Sequence, residues 1–417
     1  MKRMMTAVIA ATLPAAAFAG EAEVVTTYAD IAHAGYEDSL IKAKELDAAI
    51  EAFVAAPSEA TLAAAKTAWI ESRVPYQQTE VYRFGNAIVD DWEGKVNAWP
   101  LDEGLIDYVD GSYGGATDEN PLAALNVIAN PTFELSGETV DASEITPELL
   151  ADTLHEADEV EANVATGYHA IEFLLWGQDL HGTEHGAGER PYTDYLTGDD
   201  CTGGNCERRA EYLLAATDLL VSDLEWITEQ WAEGGAARAA VVDDPAAGIT
   251  AMLTGMGSLS YGEQAGERMK LGLMLNDPEE EHDCFSDNTH NSHFYDGMGV
   301  HNVYFGKYTR VDGTQVKGES LADLLAEKDA DLAAELGSAL DKSVAELAEI
   351  KAAAEAGFSY DQMLARGNEA GEELIMSAVD ALVAQTREIE RAVSVLTEAD
   401  IEVEGSDSLD NPDAVFE

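Results

Sequence analysis

Apolar residues recur along this chain at the three-and-four spacing of a helix that buries one face, and seldom at the alternation of a strand. Ile31, Leu40, Ile41, Leu46, Ile50 and Phe53 set such a stripe over residues 28–56, with alanine filling the remainder. Pro57 breaks it, and Ser58 is placed to cap a second helix from about Glu59. That helix carries Leu62, Trp69 and Ile70 to Arg73, passes Pro75, where a kink is expected, and continues through Glu80 to Gly85. Residues 86–147 are loop-rich. Pro147 and Glu148 suit another helix start, from which Leu149, Leu150, Leu154 and Val160 lead toward Gly167. The 155–159 run on it, with His155, reads as a solvated helix face. Helical stripes return over 208–231, after Pro245, and over 320–397 with a break at Gly357. Between them, residues 277–293 are polar, hold three histidines and show no stripe, so they read as a loop.

The pattern predicts an all-α fold of two helical-bundle halves with long irregular loops. A faint repeat hints at duplication: Tyr76 is followed by Glu80, and Tyr261 by Glu263 with Arg268. The organisation expected is a leader at 1–19, an N-terminal half at 20–200, a C-terminal half at 201–400 and an acidic, disordered tail at 401–417. Gly255, Gly257, Gly262 and Gly266 fall within a dozen residues. Each costs a helix about 1 kcal/mol, which points to tight helix contact or ligand approach there.

Lys2 and Arg3 precede an apolar run that ends Ala17-Phe18-Ala19, the plan of a secretory signal peptide cut before Gly20. No later stretch is apolar enough for an integral membrane span, and export to the periplasm or cell envelope is expected. The formal charge is −58 at pH 7, which disfavours nucleic acid and anionic membrane and attracts cations diffusely. Cys201 and Cys206 bracket a turn-rich Thr-Gly-Gly-Asn loop. An exported protein would close it as a disulfide, with a metal pair as the alternative. Cys284 is left over, as a buried thiol or as a competitor for either partner.

The chemistry converges on residues 167–179. In a helix, His169 and Glu172 share one face, and an imidazole with a carboxylate suits a divalent or ferric ion. The bland alternative is a satisfied polar pair. Ala170 and Phe173 stand where zinc-peptidase motifs require other residues, so the pair alone is half a site. Gly167 would admit a ligand or a second backbone beside the histidine. Arg73 and Glu80 are seven residues apart on one predicted face, where a structural ion pair is the competing reading.

With Gly167-x-His169-x-x-Glu172, Arg73-x-Pro75-Tyr76, Trp99-Pro100-Leu101-Asp102, the 190–195 block from Arg190 to Tyr195 and the 284–290 block from Cys284 to His290 in order, the chain resembles the imelysin family. That family is also called the insulin-cleaving membrane protease family, and the similarity is to its iron-regulated protein A branch. The resemblance covers nearly all of the chain beyond the leader. It implies an all-helical fold with the motif where two halves meet, and an exported protein connected to iron or other metal uptake. On this reading His169, Glu172 and Glu80 are metal ligands for iron or another divalent ion. Arg73, Gly167, Asp102, Asp287 and His290 support the site, the last two closing it from the second half. A metal ion or small ligand is the expected partner, with an envelope iron-transport component behind it. The alternatives are an imelysin-type metallopeptidase and a metal-independent module for peptide or polysaccharide.

Overall fold

The computed structural model describes residues 20–117, 120–399 and 401–416. The leader expected at 1–19 lies outside them. The described residues are 65% helical and 4% strand, so the all-α expectation holds. The strands form two antiparallel hairpins, Thr132–Leu135 with Glu138–Asp141 and Lys307–Thr309 with Gln315–Lys317. None of the described helices is long and apolar enough to cross a membrane.

The first helix, Glu21–Ala55, packs along Glu59–Gln77 and Cys206–Trp231. Ser58 caps the second helix reciprocally with Thr61, as its position before the apolar stripe predicts. That helix keeps Pro75 inside but stops at Gln77, short of Gly85. The Thr79 hydroxyl takes the Tyr76 carbonyl at 2.6 Å and diverts the chain into a 3-10 turn at Glu80–Tyr82. The helix after Pro147 also ends early. His155 is extended, Glu156 and Asp158 are left-handed, and His155 Nδ1 accepts from the Ala165 N–H at 3.3 Å. His155 therefore braces a turn and is not on a solvated helix face.

Two further expectations are corrected. Residues 277–293 are not one loop, because His290 and His293 sit on the helix Thr289–Phe305. This helix packs on both Glu59–Gln77 and Ala330–Glu355, and it buries Ser292, His293, Asp296, Gly297, Gly299 and Asn302. A helix enclosed on several sides needs no apolar stripe, which is why its sequence reads as loop. The tail from Glu402, expected to be disordered, is packed instead. Ser406 and Ser408 are buried, and Ser408 donates to the Gly266 carbonyl at 3.0 Å.

The tail lies against the continuation of Pro245–Ser258, a wide π-helical stretch at Leu259–Leu271. Its glycines are contact points. A Cβ on Gly255 would strike the Val81 carbonyl, and one on Gly262 the Glu404 carbonyl. The main core runs from Val24 through Trp69, Trp231 and Leu253 to Leu396, and a smaller one gathers Met269, Leu347, Ile350, Met363 and Leu382. Cys201 and Cys206 form a disulfide, and Cys284 is a free thiol.

At the centre of the main core lies the helix Gly167–Trp176, with all ten residues buried. Gly167 opens it at φ +77°, and a Cβ there would run into the Val96 backbone. The side chain missing beside His169 thus admits a second backbone. Gly167→Ala should combine left-handed strain with overpacking and cost about 3 kcal/mol, measured by denaturant unfolding.

Candidate metal centre

His169 and Glu172 project from one face of the motif helix, and His169 Nδ1 meets Glu172 Oε2 at 3.2 Å. Their exposures are 1% and 0%. The segment following the short turn Pro278–Glu280 closes over them. Its Ser286 donates to Glu172 Oε1 from both backbone N–H and hydroxyl, at 2.9 and 2.6 Å. Its His282 ring stands edge-on to His169, centroids 4.8 Å apart. Trp99 pins the segment by donating its indole N–H to the Glu281 carbonyl at 2.9 Å.

Asp283 ties the segment to the helix Glu59–Gln77. Arg73 donates to Asp283 Oδ1 at 2.9 Å, and to Asn97 Oδ1 at 2.7 Å from its other terminal nitrogen. The guanidinium also lies 4.8 Å from the Tyr168 ring centroid, so the cation is held by charge, hydrogen bonds and an aromatic face. Asp283 Oδ2 accepts from Asn288 and Ser292. His169, His282 and Asp283 each offer a ligand atom within 4.8 Å of the others. His169 Nε2 is buried with no hydrogen-bond partner.

Burial decides the protonation states. It pushes His169 down to about 3, helped by the Arg73 charge, and takes His282 well below the ordinary imidazole range. Burial, and then the Asp283 charge, hold Glu172 well above the carboxylate range despite the Ser286 bonds. For Asp283 burial opposes ionisation, but Arg73 and His282 outweigh it and keep the carboxyl well below its usual value. The centre therefore pairs Arg73 with an ionised Asp283, favours the neutral form of both imidazoles and pushes Glu172 toward its protonated form. Two neutral imidazoles beside a carboxylate are the donor set of non-haem iron(II) sites, and they suit zinc as well.

The sequence-expected residues divide. His169, Glu172, Arg73 and Gly167 are at the centre. Glu80 is buried nearby but is engaged otherwise, taking Arg268 at 2.7 Å and the Asn97 amide at 3.3 Å. Its ion-pair partner is thus Arg268 and not Arg73, because the helix ends before Glu80 and their two-turn spacing does not apply. Asn97 links Glu80 to Arg73. Asp102 accepts from the Tyr113 hydroxyl at 3.0 Å and from Asn120, and lines a separate cleft of about 470 Å³ with Trp99, Asp179, Glu279 and Cys284. Asp287 groups with Asp179 and Asp361. His290 turns to Asn291 at 3.1 Å and leaves Nδ1 buried and unpartnered. The residues missed are His282, Asp283 and Ser286, just ahead of the pair chosen from the same stretch. Side-by-side His and Asp were the available signal, in a run too polar throughout for it to stand out.

A family model described as Imelysin matches residues 32–389. A 60-residue stretch is 37% identical to iron-regulated protein A of Synechococcus elongatus, covering 14% of this chain and 17% of that protein's length. The fold is similar to the crystal structure of an iron-regulated protein A precursor from Parabacteroides distasonis, with TM-score 0.65 and 19% identity over 90% of this chain and 95% of that one. An imelysin-like protein from Psychrobacter arcticum superposes with TM-score 0.55 at 16% identity, over 89% of this chain and 94% of the other.

His290 supplies a pH test of the segment. Burial first, then the Lys351 charge, lower it from 6.5 to about 4. The unfolded chain takes up this proton near pH 6.5 and the folded protein only near 4, so the stability is present above that window and lost as pH falls through it. In His290→Asn the thermal midpoint should fall less between pH 6.5 and 4 than in wild type; parallel curves would mean the imidazole does not titrate this way.

Proposed function

The chain belongs to the imelysin family, and from that premise we propose that it is an exported protein of iron handling that binds a metal ion, or a ligand carrying one, at the His169–His282–Asp283 centre. The observation that carries this reading is the convergence of three ligand atoms within 4.8 Å beside a buried, unpartnered His169 Nε2. His169, His282 and Asp283 would hold the ion, which would supply Lewis acidity or redox chemistry when bound. Glu172 stands next to it and exchanges a proton for positive charge, while Arg73 and Ser286 fix the orientation of Asp283 and Glu172. The nitrogen donors favour iron(II) or zinc over a hard, oxygen-seeking ferric ion.

Export is supported by the basic start and apolar run before Gly20, and by the Cys201–Cys206 disulfide, which suits an oxidising compartment. The acidic cleft bearing Asp102, Asp179 and Glu279 attracts cations to the face that carries Trp99. An envelope iron-transport component is the partner such a protein would serve. Peptide cleavage is the weaker reading: His169, Glu172, His282 and Asp283 are all at most 1% exposed, which suits an ion better than a polypeptide. A metal-independent peptide or polysaccharide site meets the same objection.

Anaerobic titration of the chelator-stripped protein with iron(II), and separately with zinc, should show one tight ion per chain. His169→Ala and His282→Ala should each weaken it about 100-fold, and Glu172→Gln about tenfold, as for loss of a ligand and of its orienting neighbour. Equal uptake by wild type and all three variants would remove the centre.

A further inference from the structure

Asp287, absent from the first centre, meets Asp179 and Asp361, and the three carboxylates offer oxygens within 4.8 Å of one another. They come from three separate segments. Asp179 follows the motif helix, Asp287 directly follows Ser286, and Asp361 lies on the short helix Tyr360–Leu364. Asp361 is 1% exposed, and neither of its carboxylate oxygens has a hydrogen-bond partner. Oδ1 of Asp287 is likewise buried and unpartnered. Behind them Glu281, also 1% exposed, carries a further unpartnered oxygen, Oε2.

Charge is left unbalanced here. Asp361 and Asp179 act on Asp287, Asp361 and Glu189 act on Asp179 alongside a backbone bond from His181, and His185 faces Asp361. At the first centre Arg73 answers Asp283; among the described residues no lysine or arginine forms an ion pair with the three aspartates. Burial raises Asp287 to about 7 and Asp179 to about 6. Clustered buried carboxylates of this kind are ordinarily matched by basic groups or by a metal ion.

We propose that Asp179, Asp287 and Asp361, backed by Glu281, form a second cation site that takes a divalent ion of the calcium type through oxygen ligands alone. Calcium–oxygen distances of about 2.3–2.6 Å place two oxygens of one ion at most about 5 Å apart, so a single calcium spans the cluster. Ligands drawn from three segments suit its adaptable coordination better than the strict octahedron of magnesium. With neither nitrogen nor sulfur among the donors, the site is distinct in preference from the His169 centre. A bound ion would tie the segment carrying His282, Asp283 and Ser286 to the C-terminal helices.

The test is calorimetric titration of the chelator-stripped full chain with calcium chloride in about 0.3 M sodium chloride, which screens diffuse binding to the acidic surface. Wild type and His169→Ala should each bind one calcium, and Asp361→Asn should bind at least about tenfold more weakly. Because Asp361→Asn relieves like-charge repulsion, its thermal midpoint without calcium should match or exceed that of wild type. Calcium should then raise the midpoint of wild type and His169→Ala but not of Asp361→Asn. No stoichiometric binding in wild type, or an equal calcium response in Asp361→Asn, would overturn the proposal. Failure of iron binding at His169 with calcium binding intact would sink only the first centre.

Discussion

One guanidinium and one carboxylate, Arg73 and Asp283, face each other at 2.9 Å with 1% and 0% exposure, and the architecture around them follows from the need to keep both satisfied. Removing either partner would leave a charge stranded in the core, at a cost of about 3–5 kcal/mol. The surroundings spend their polar groups accordingly. Asn97 takes one arm of the guanidinium, the Tyr168 ring lies beside it, and Asn288 and Ser292 saturate the far oxygen of Asp283. A neighbouring set, Arg268 with Glu80 and Asp296, repeats the arrangement and shares Asn97 with the first. The helix Glu59–Gln77, the turn at Glu80–Tyr82, the wide helical stretch at Leu259–Leu271 and the helix Thr289–Phe305 are joined through these bonds as much as through apolar packing.

The ion pair also divides the chemistry. Close to Arg73 the Asp283 carboxyl stays ionised and the imidazoles are held toward their neutral form, with His169 Nε2 left unpartnered. Farther along the same segment carboxyls crowd together, and burial raises their proton affinity. Three residues separate Asp283 from Asp287, and that interval takes the chain from a carboxylate paired with arginine to a cluster of carboxylates. Two sites of different donor preference thus share one short connection.

Much of this was legible in the residues. The stripes over 28–56 and 208–231, the cap at Ser58, the disulfide and the motif helix follow from spacing and residue type, and the outcome agrees. The departures have specific causes. Thr79 ends a helix that the apolar pattern would have continued, so the Arg73–Glu80 register did not survive. The helix Thr289–Phe305 hid because it is enclosed, and its buried serine, histidine, aspartate and asparagine resemble a loop's composition. Polarity alone does not say which side of a turn points inward, so the sequence does not distinguish His282 and Asp283 from Asp287 and His290. The tail after Glu402 looked too acidic to pack, yet serines and glycines let it lie flat against Gly262 and Gly266.

Trp99 holds a position with a further consequence. Its indole is hydrogen-bonded to the Glu281 carbonyl, its ring stands 5.7 Å from that of His282, and it forms part of the wall of the cleft that contains Asp102. A chromophore at that boundary makes the protein its own optical probe. Of the chain's six tryptophans this one stands against His282, so a paramagnetic ion arriving there would quench its share of the emission with no label attached to the chain.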